Sequence, residues 1–205
     1  MDFVAIDFET ANELPTSACE LGLAVVRNYK VIETKSWLIR PPDLRFNPYN
    51  TKIHGLSASD VCDMPKFDLL WSEIGPYLSN DFVIAHNAEF DIGVLKSLLH
   101  YYKITFNPIP YTCSIKLARK TYSDARSFGL ANLSRELGIK LNHHRAESDA
   151  EACAIIAAKS FRAFQVSFPH ELAVRMNVSI QTLKPGDKPK QPKRSINNIN
   201  GRTRR

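Results

Sequence analysis

The sequence lacks the features that would place it in a membrane or in an oxidising compartment. It has no apolar run approaching the ~20 residues that span a bilayer, and an acidic Asp2 stands where a secretory signal would carry positive charge. Its four cysteines form no CxxC pair and no metal-like spacing with histidine. They are expected to be reduced, small apolar residues. We predict a soluble protein of the cytoplasm with no membrane partner.

Acidic residues are scarce near the C-terminus, and this sets the distribution of charge. The formal net charge is +6. Residues 184–205 carry eight lysines and arginines against one aspartate, a net of +7, which leaves −1 for the rest of the chain. Large apolar side chains are nearly missing there, while proline recurs. We predict a disordered basic tail over 184–205, after a domain over 1–183, and an anionic partner.

The first third of the chain is patterned as strands. The run Phe3–Glu9 is apolar and turns acidic at its end, which is typical of a central strand buried on both faces until it emerges. Two stretches rich in β-branched residues, 21–27 and 31–39, flank the segment 28–30 and predict a hairpin. Three strands with tight connections predict an antiparallel start.

Helical periodicity begins near residue 67 and then alternates with short apolar strands. One predicted helix is expected to bury a face made of Phe90, Val94, Leu95 and Leu98. The predicted helices are 67–78, the helix carrying that face, 114–119, 130–137 and 148–164, and the predicted strands are 82–85 and 109–112. At 205 residues these elements suit one domain.

Asp7 and Glu9 are the first candidate metal ligands. They stand two apart on a predicted strand, so both carboxylates project from one face while Phe8 points to the other. Hard oxygen donors at the end of a central strand suit Mg²⁺ or Mn²⁺. A strand that turns to solvent also often carries two acids, so this motif alone leaves both interpretations open.

Two further motifs place acids and a histidine near helix starts. Asp91 follows a strand and a short turn, at a position where the helix dipole by itself favours an acid. Asp149 falls in the first turn of a later helix, and His144 comes from the loop before it. Loop and helix could present a base and a ligand to one cleft. An isolated pair of this kind also occurs as loop surface and helix cap.

The order of these motifs along the chain resembles that of the DEDDh family of 3′-to-5′ exonucleases, which includes bacterial proofreading subunits and RNase T-like enzymes. The resemblance covers roughly residues 1–165. The sister class has tyrosine four residues before the last aspartate, where this chain has Arg145. The chain departs from the family at Ala11 and Asn12, where Thr-Gly is usual. The matching segments are Asp7-x-Glu9, Cys19–Gly22, Ile53–Leu56, Asn87-x3-Asp91, Leu130–Leu133, Leu137–Ile139 and His144-x4-Asp149.

The resemblance implies a two-metal phosphodiesterase. Two divalent cations, Mg²⁺ or Mn²⁺, are the implied cofactors, and they would relieve the repulsion among converging carboxylates. By resemblance the roles are Asp7 bridging both ions, Glu9 and Asp149 completing the nucleophile-side site, Asp91 holding the leaving-group-side ion, and His144 acting as general base.

Contacts to the substrate are implied less directly. Thr10 is expected at the terminal nucleotide, with an ordinary threonine turn as the alternative. His54 and Leu56 could pack on the terminal base or sugar, or form a turn on the core. His86 and Asn87 could shape the cleft or form a structural pair. His143 is interpreted as an exposed neighbour of the base, and Glu20 as either support for the metal ligands or a polar strand residue.

The predicted fold is a three-layer RNase H-like α/β domain with a mixed five-stranded sheet, antiparallel over three strands and then parallel. The predicted function is release of 5′-mononucleotides from single-stranded or frayed 3′ ends of DNA, in proofreading or repair, with a DNA polymerase as a possible partner. RNA trimming is the alternative substrate. A non-catalytic nucleic-acid or polymerase-binding module is the rival from a different class.

Overall fold

The computed structural model describes residues 1–189, and this part of the chain contains six strands and eight α-helices. The strands are β1 (Phe3–Thr10), β2 (Ala18–Arg27), β3 (Lys30–Leu38), β4 (Val83–Ala85), β5 (Ile109–Cys113) and β6 (Gln181–Leu183). The helices are α1 (Pro48–His54), α2 (Ala58–Val61), α3 (Phe67–Asn80), α4 (Ala88–Tyr101), α5 (Ser114–Thr121), α6 (Leu130–Glu136), α7 (Ala146–Ala163) and α8 (Leu172–Met176). A 3₁₀ turn, Pro169–Glu171, precedes α8.

The strands form one sheet in the order β3-β2-β1-β4-β5-β6. β1, β2 and β3 are antiparallel neighbours, and β4 and β5 run parallel to β1. The predicted antiparallel start followed by parallel strands is therefore confirmed. β1 lies inside the sheet between β2 and β4, so the carboxyl ends of β1, β4 and β5 meet at one edge.

A sixth strand corrects the predicted five-stranded sheet. Gln181–Leu183 pairs antiparallel with Ile109–Tyr111, and Leu183 is buried beside Ile109 in the core. Backbone pairing with β5 and burial of this one leucine hold the segment on the sheet edge. Three residues with a single buried side chain carry no strand periodicity, so the pattern was too short to predict.

Helices cover both faces of the sheet, which confirms the three-layer prediction. Side chains of β1 alternate between the layers. Val4, Ile6 and Phe8 pack with α3 and α4, whereas Phe3 and Ala5 pack with α7. Odd-numbered positions of β1 thus face α7, and this parity decides where the acids of the strand project.

One part of the predicted core is wrong. Val94, Leu95 and Leu98 are buried on α4, but Phe90 is 47% exposed. Phe90 lies in the first turn of α4, past the carboxyl end of β4, and its ring lines a cleft rather than the sheet. The short helices α1, α2 and α8 had no predicted counterpart because a helix of one or two turns shows no sustained period.

Within residues 1–189 no helix is long and apolar enough to cross a membrane. All four cysteines are free. The predicted tail starts with a turn in which the Asp187 amide donates to the Lys184 carbonyl at 3.1 Å. Residues 190–205 lie outside the described residues, so the tail and the domain boundary stay predictions.

Candidate active site

Asp7 and Glu9 lie in the part of β1 that ends at the carboxyl edge of the sheet. Both occupy odd positions and project toward α7, where Asp149 meets them. One carboxylate oxygen from each of these three residues lies within 4.8 Å of the other two. Burial, then repulsion from Asp91 and the other nearby acids, raises the pKa of Asp7 well above its usual value. Burial and the same kind of repulsion raise the pKa of Glu9 to about 8.

Asp91 approaches this cluster from the opposite layer. It stands in the first turn of α4 and is 1% exposed, and its Oδ1 accepts the backbone N–H of Phe8 at 3.0 Å. Burial raises the pKa of Asp91 to about 7, although the hydrogen bond from Phe8 acts in the other direction. The four residues Asp7, Glu9, Asp91 and Asp149 are called the acidic centre below.

Gly22 brings Asp149 to the acidic centre. It pairs with Asp7 in the sheet, and a Cβ atom built on it would lie 2.0 Å from the carbonyl carbon of Ala146. Only glycine therefore lets the N-terminus of α7 rest directly on β2. Asp149 lies in the first turn of α7, so this close approach places its carboxylate beside Asp7 and Glu9.

The loop before α7 encloses the carboxylate of Asp149. The His144 backbone N–H donates to Asp149 Oδ2 at 3.0 Å, and His143 Nδ1 lies 3.0 Å from the same oxygen. The two imidazoles stack with their ring centroids 3.8 Å apart. His144 has a φ of 68°, in the left-handed region that L-residues adopt at a cost. Burial, followed by the neighbouring His143, lowers the pKa of His144, which favours the neutral imidazole.

His143 is exposed beside His144, as interpreted from the sequence, and its Nδ1 also contacts the Asp149 carboxylate directly. In the sequence, His143 and His144 differ only in their distance along the chain from Asp149. The backbone turn at His144 sends both rings to the same carboxylate. No pattern in the sequence could have indicated that turn.

Glu20 lies beside the acidic centre and is 1% exposed. It faces Glu9 across the β1–β2 pair. Ser36 Oγ donates to Glu20 Oε1 at 2.7 Å, and an Arg145 nitrogen lies 3.5 Å from the same oxygen. Glu20 therefore ties β3 and the start of α7 to β2, the neighbour of the strand that carries Glu9, as a buried carboxylate with polar partners should.

His54 and Leu56 are buried rather than open to a ligand, at 5% and 7% exposure. His54 Nδ1 accepts the Leu56 N–H at 3.1 Å, so Nε2 carries the hydrogen and donates to the Thr10 carbonyl at 3.2 Å. Asn50 also donates to that carbonyl, at 2.8 Å. Both ring nitrogens of His54 thus fix backbone, and the geometry sets the position of Thr10 at the end of β1.

Asn87 and Thr10 line the opening of a cleft of about 860 Å³. The cleft runs from the end of β1 between α4 and α5 to Gln181 on β6. Asn87 itself is exposed at the start of α4, with a left-handed φ of 68°. His86, by contrast, is a structural residue, since its ring nitrogens lie 2.8 Å from Ser114 Oγ and 2.9 Å from the Phe128 carbonyl oxygen.

Known proteins share both this fold and this sequence pattern. The nuclease domain of 3′hExo, described as a DEDDh family member bound to rAMP, superposes with a TM-score of 0.68 over 88% of this chain and 96% of that domain, at 15% identity. Exonuclease X in complex with 5′-overhanging duplex DNA superposes with a TM-score of 0.67 over 85% of this chain and 96% of that one, at 22% identity. The fold is thus the RNase H-like fold of the DEDDh exonucleases, as predicted.

Sequence relatives are parts of longer proteins. The chain is 30% identical over 167 residues to the PolC-type DNA polymerase III of Clostridium perfringens, a match of 78% of this chain and 11% of the polymerase. It is 28% identical over 166 residues to the 3′-5′ exonuclease DinG of Staphylococcus haemolyticus, covering 80% of this chain and 18% of DinG. The Exonuclease family typified by RNase T matches residues 4–157. The chain belongs to this family of nucleic-acid-degrading exonucleases.

Proposed function

We propose that the chain is a 3′-to-5′ exonuclease that hydrolyses the terminal phosphodiester bond and releases 5′-mononucleotides. The observation that carries the proposal is the meeting of Asp7, Glu9 and Asp149 at one edge of the sheet, with Asp91 behind them and His144 beside them. Carboxylates this close and this buried repel one another and destabilise the fold. Such an arrangement is explained by the cations it would bind, which points to catalysis.

The donor set fits divalent metal ions that prefer oxygen. The acidic centre offers carboxylates alone. Burial, and for Asp7 and Glu9 also mutual repulsion, raises the pKa values of its acids, and a bound cation would compensate their charge. We assign Asp7 to two ions of Mg²⁺ or Mn²⁺, Glu9 and Asp149 to the ion on the nucleophile side, and Asp91 to the other. Two such ions, when bound, would stabilise charge on the attacking and leaving oxygens.

The residues around the acids supply proton transfer and orientation. A neutral His144 imidazole can accept the proton of the attacking water, and its lowered pKa keeps it neutral near pH 7. His143 and the backbone of His144 hold the Asp149 carboxylate in one orientation. Asn87 is exposed and lines the cleft, so it is assigned to direct contact with the terminal nucleotide, and Thr10, which is buried but also lines the cleft, is assigned beside it. His54 positions the Thr10 backbone and the Leu56 N–H holds the His54 ring, so these two are assigned indirect roles.

DNA is the proposed substrate, in proofreading or repair. Its support is the similarity of the chain to PolC-type DNA polymerases and DinG exonucleases. On the same ground we propose a DNA polymerase as partner. RNA trimming is the second candidate, because the 3′hExo domain with the same fold is described with bound rAMP. Selection between them depends on contacts to the 2′-hydroxyl. The cytoplasm remains the proposed location, on the reduced state of the cysteines.

A direct assay tests the proposal. Purified protein is incubated with strands of DNA and RNA of equal sequence, labelled at either end, with Mg²⁺, Mn²⁺, Zn²⁺ or EDTA. We expect stepwise shortening from the 3′ end and release of 5′-mononucleotides with Mg²⁺ or Mn²⁺, weak activity with Zn²⁺ and none in EDTA. Undiminished cleavage in EDTA would exclude the metal assignment, and shortening from the 5′ end would exclude the polarity.

A further inference from the structure

The cleft that opens at Thr10 and Asn87 carries positive charge along its walls. Lys96 stands on α4, and Lys116 and Arg119 stand on α5. Lys116 and Arg119 are three residues apart, so they share one face of their helix. This cleft between α4 and α5 is called the basic cleft below. At about 860 Å³ it is at the upper end of the ~300–1,000 Å³ typical of ligand sites.

The cations of the basic cleft are available to a ligand. Among residues 1–189 no ion pair with a carboxylate involves Lys96, Lys116 or Arg119. Arg119 instead lies over the Phe128 ring, with 5.6 Å between its guanidinium carbon and the ring centroid, which orients the group without neutralising it. Two acids also line the cleft, and one of them, Glu13, pairs with Arg45 at 2.9 Å. Positive charge therefore exceeds negative charge along the walls.

Gly93 is a second, independent feature of the basic cleft. It lies in the interior of α4 between Asn87 and Lys96, and a Cβ atom built on it would meet nothing within 4 Å. Glycine inside a helix destabilises it relative to alanine. Packing does not require the glycine here, since alanine would fit. A bare backbone at this point widens the cleft by one side chain and allows a ligand to approach α4 closely.

The substrate explains why such a cleft is needed. Residues 1–183 have a net charge of −1, and the acidic centre concentrates negative charge where the terminal phosphate must arrive. A nucleic-acid strand would be repelled there unless its other phosphates met positive charge nearby. The basic cleft is lined by Thr10, the last residue of the strand that carries Asp7 and Glu9.

We propose that the basic cleft binds the phosphates of a single strand upstream of the scissile bond, through Lys96, Lys116 and Arg119. The proposal rests on the proposed exonuclease function and adds the path of the strand. Phosphate contacts of this kind hold any sequence, because they involve no base edge. The cleft is thus expected to set affinity and the preferred strand length, not the chemistry of the hydrolytic step.

The test is binding of the full chain to a fluorescent single-stranded decamer in EDTA, where the strand cannot be hydrolysed by the metal-dependent route. The double variant Lys116→Ala/Arg119→Ala removes two phosphate contacts, each contributing ~0.7 to the slope of log affinity against log salt. We expect the slope to flatten by about 1.4, so that from 50 to 200 mM salt the wild type loses about sevenfold more affinity than the variant. The matched control Lys120→Ala/Lys159→Ala removes two exposed cations, one of them also on α5, whose side chains do not line the cleft, and should keep the wild-type slope.

Gly93 provides a second test that changes no cation. Gly93→Glu should weaken binding of the decamer several-fold more than Gly93→Gln, which matches it in size without the charge. Melting temperatures confirm that each variant is folded. Equal binding by the two Gly93 variants, together with an unchanged salt slope in the double variant, would overturn the proposal and leave the cleft to an acidic protein partner.

The outcomes separate this proposal from the proposed function. Suppose that the wild type cleaves strands with Mn²⁺ but the cleft variants bind the decamer as tightly as the wild type. The basic cleft is then wrong and the exonuclease assignment stands. Conversely, strand binding that depends on Lys116 and Arg119, without cleavage in any divalent metal, would support the cleft and refute the catalytic function.

Discussion

The acidic centre and the basic cleft lie at the same edge of the sheet and are built in opposite ways. In the acidic centre, Asp91 and Asp149 are 1% and 3% exposed, and backbone N–H groups hold their oxygens. In the basic cleft, Lys116 and Arg119 are exposed on one helical face. Chemistry requires donors whose positions are fixed in advance, since reorganisation raises the barrier. Retention of a polyanion requires only positive charge along its path.

Removal of the Asp7 carboxylate is expected to have the largest effect on the acidic centre. Asp7→Asn should lower turnover ~10³-fold or more, because metal ions at a reacting phosphate stabilise the transition state by several kcal/mol. In EDTA at pH 8 the same variant should melt at a higher temperature than the wild type, because it lacks a carboxylate that burial and repulsion destabilise. Opposite effects on turnover and melting are the signature of a functional acid. Near-wild-type turnover would show that the centre is misplaced.

The two stacked histidines beside the acidic centre are expected to contribute to catalysis to different extents. His144→Ala should reduce kcat ~10²- to 10⁴-fold, the usual scale for loss of a general base, and should leave Mn²⁺ affinity largely intact. His143→Ala should have a smaller effect, roughly 10-fold, because it removes a hydrogen bond to Asp149 from outside the ligand set. Asp149→Ala should lose both turnover and metal. Calorimetric titration with Mn²⁺ distinguishes them, and equal loss of affinity in His144→Ala and Asp149→Ala would make His144 a ligand.

Substitution of Gly22, beside the acidic centre, and of Gly93, in the basic cleft, should change the free energy of unfolding in opposite directions. Gly22→Ala should destabilise the fold by about 3 kcal/mol or more, because its Cβ would lie 2.0 Å from the backbone of Ala146 and force α7 away from β2. Gly93→Ala, in the basic cleft, should stabilise α4 by roughly 0.5–1 kcal/mol because nothing obstructs it. Urea denaturation of both variants measures the difference. Similar stability of the two would contradict the close packing of α7.

The smallest expected effect is a pH dependence of stability in the metal-free protein. Burial raises the pKa values of Glu9 to about 8 and Asp91 to about 7, so the folded protein binds protons that the unfolded chain has lost. Stability should therefore fall as pH rises from 6.5 to 8.5 in EDTA. Below pH 6.5 the lowered pKa of His86, about 4, acts in the opposite sense and limits the window.

Mn²⁺ provides the control for this pH effect. Cations bound at the acidic centre should remove most of the loss of melting temperature between pH 6.5 and 8.5, because the carboxylates then stay ionised with compensating charge. The basic cleft should contribute nothing to the effect, so Lys116→Ala/Arg119→Ala should melt with the wild-type pH profile. A metal-free protein that is equally stable at both pH values would contradict the raised pKa values that burial, followed by repulsion, gives to Glu9 and that burial gives to Asp91.

Much of the fold followed from local patterns, and the exceptions have physical causes. Alternation in β1 predicted that Asp7 and Glu9 share a face, and the structure places them together. Leu183 joined the sheet through a single buried contact that no periodicity could indicate. Phe90 followed the helical period of α4 but lies beyond the layer that the period faces. Apolar periodicity predicts which face of a helix or strand points to the core. How far the neighbouring layer extends decides which residues on that face are buried.

The amino-acid sequence specifies which chemical groups are present, their order along the chain, and the face of each predicted strand or helix on which they lie. Strand parity and helix starts are local properties that placed Asp7, Asp91 and Asp149 on their elements, and the resemblance in the order of the motifs made them candidate ligands. Tertiary contacts bring the three together, since Gly22 lets the start of α7 carry Asp149 to Asp7 and the Phe8 N–H holds Asp91 from the opposite layer. The basic cleft likewise exists only because residues of α4 and α5, which pack in opposite layers, line one pocket. Contacts between distant segments are set by packing, which no local pattern encodes.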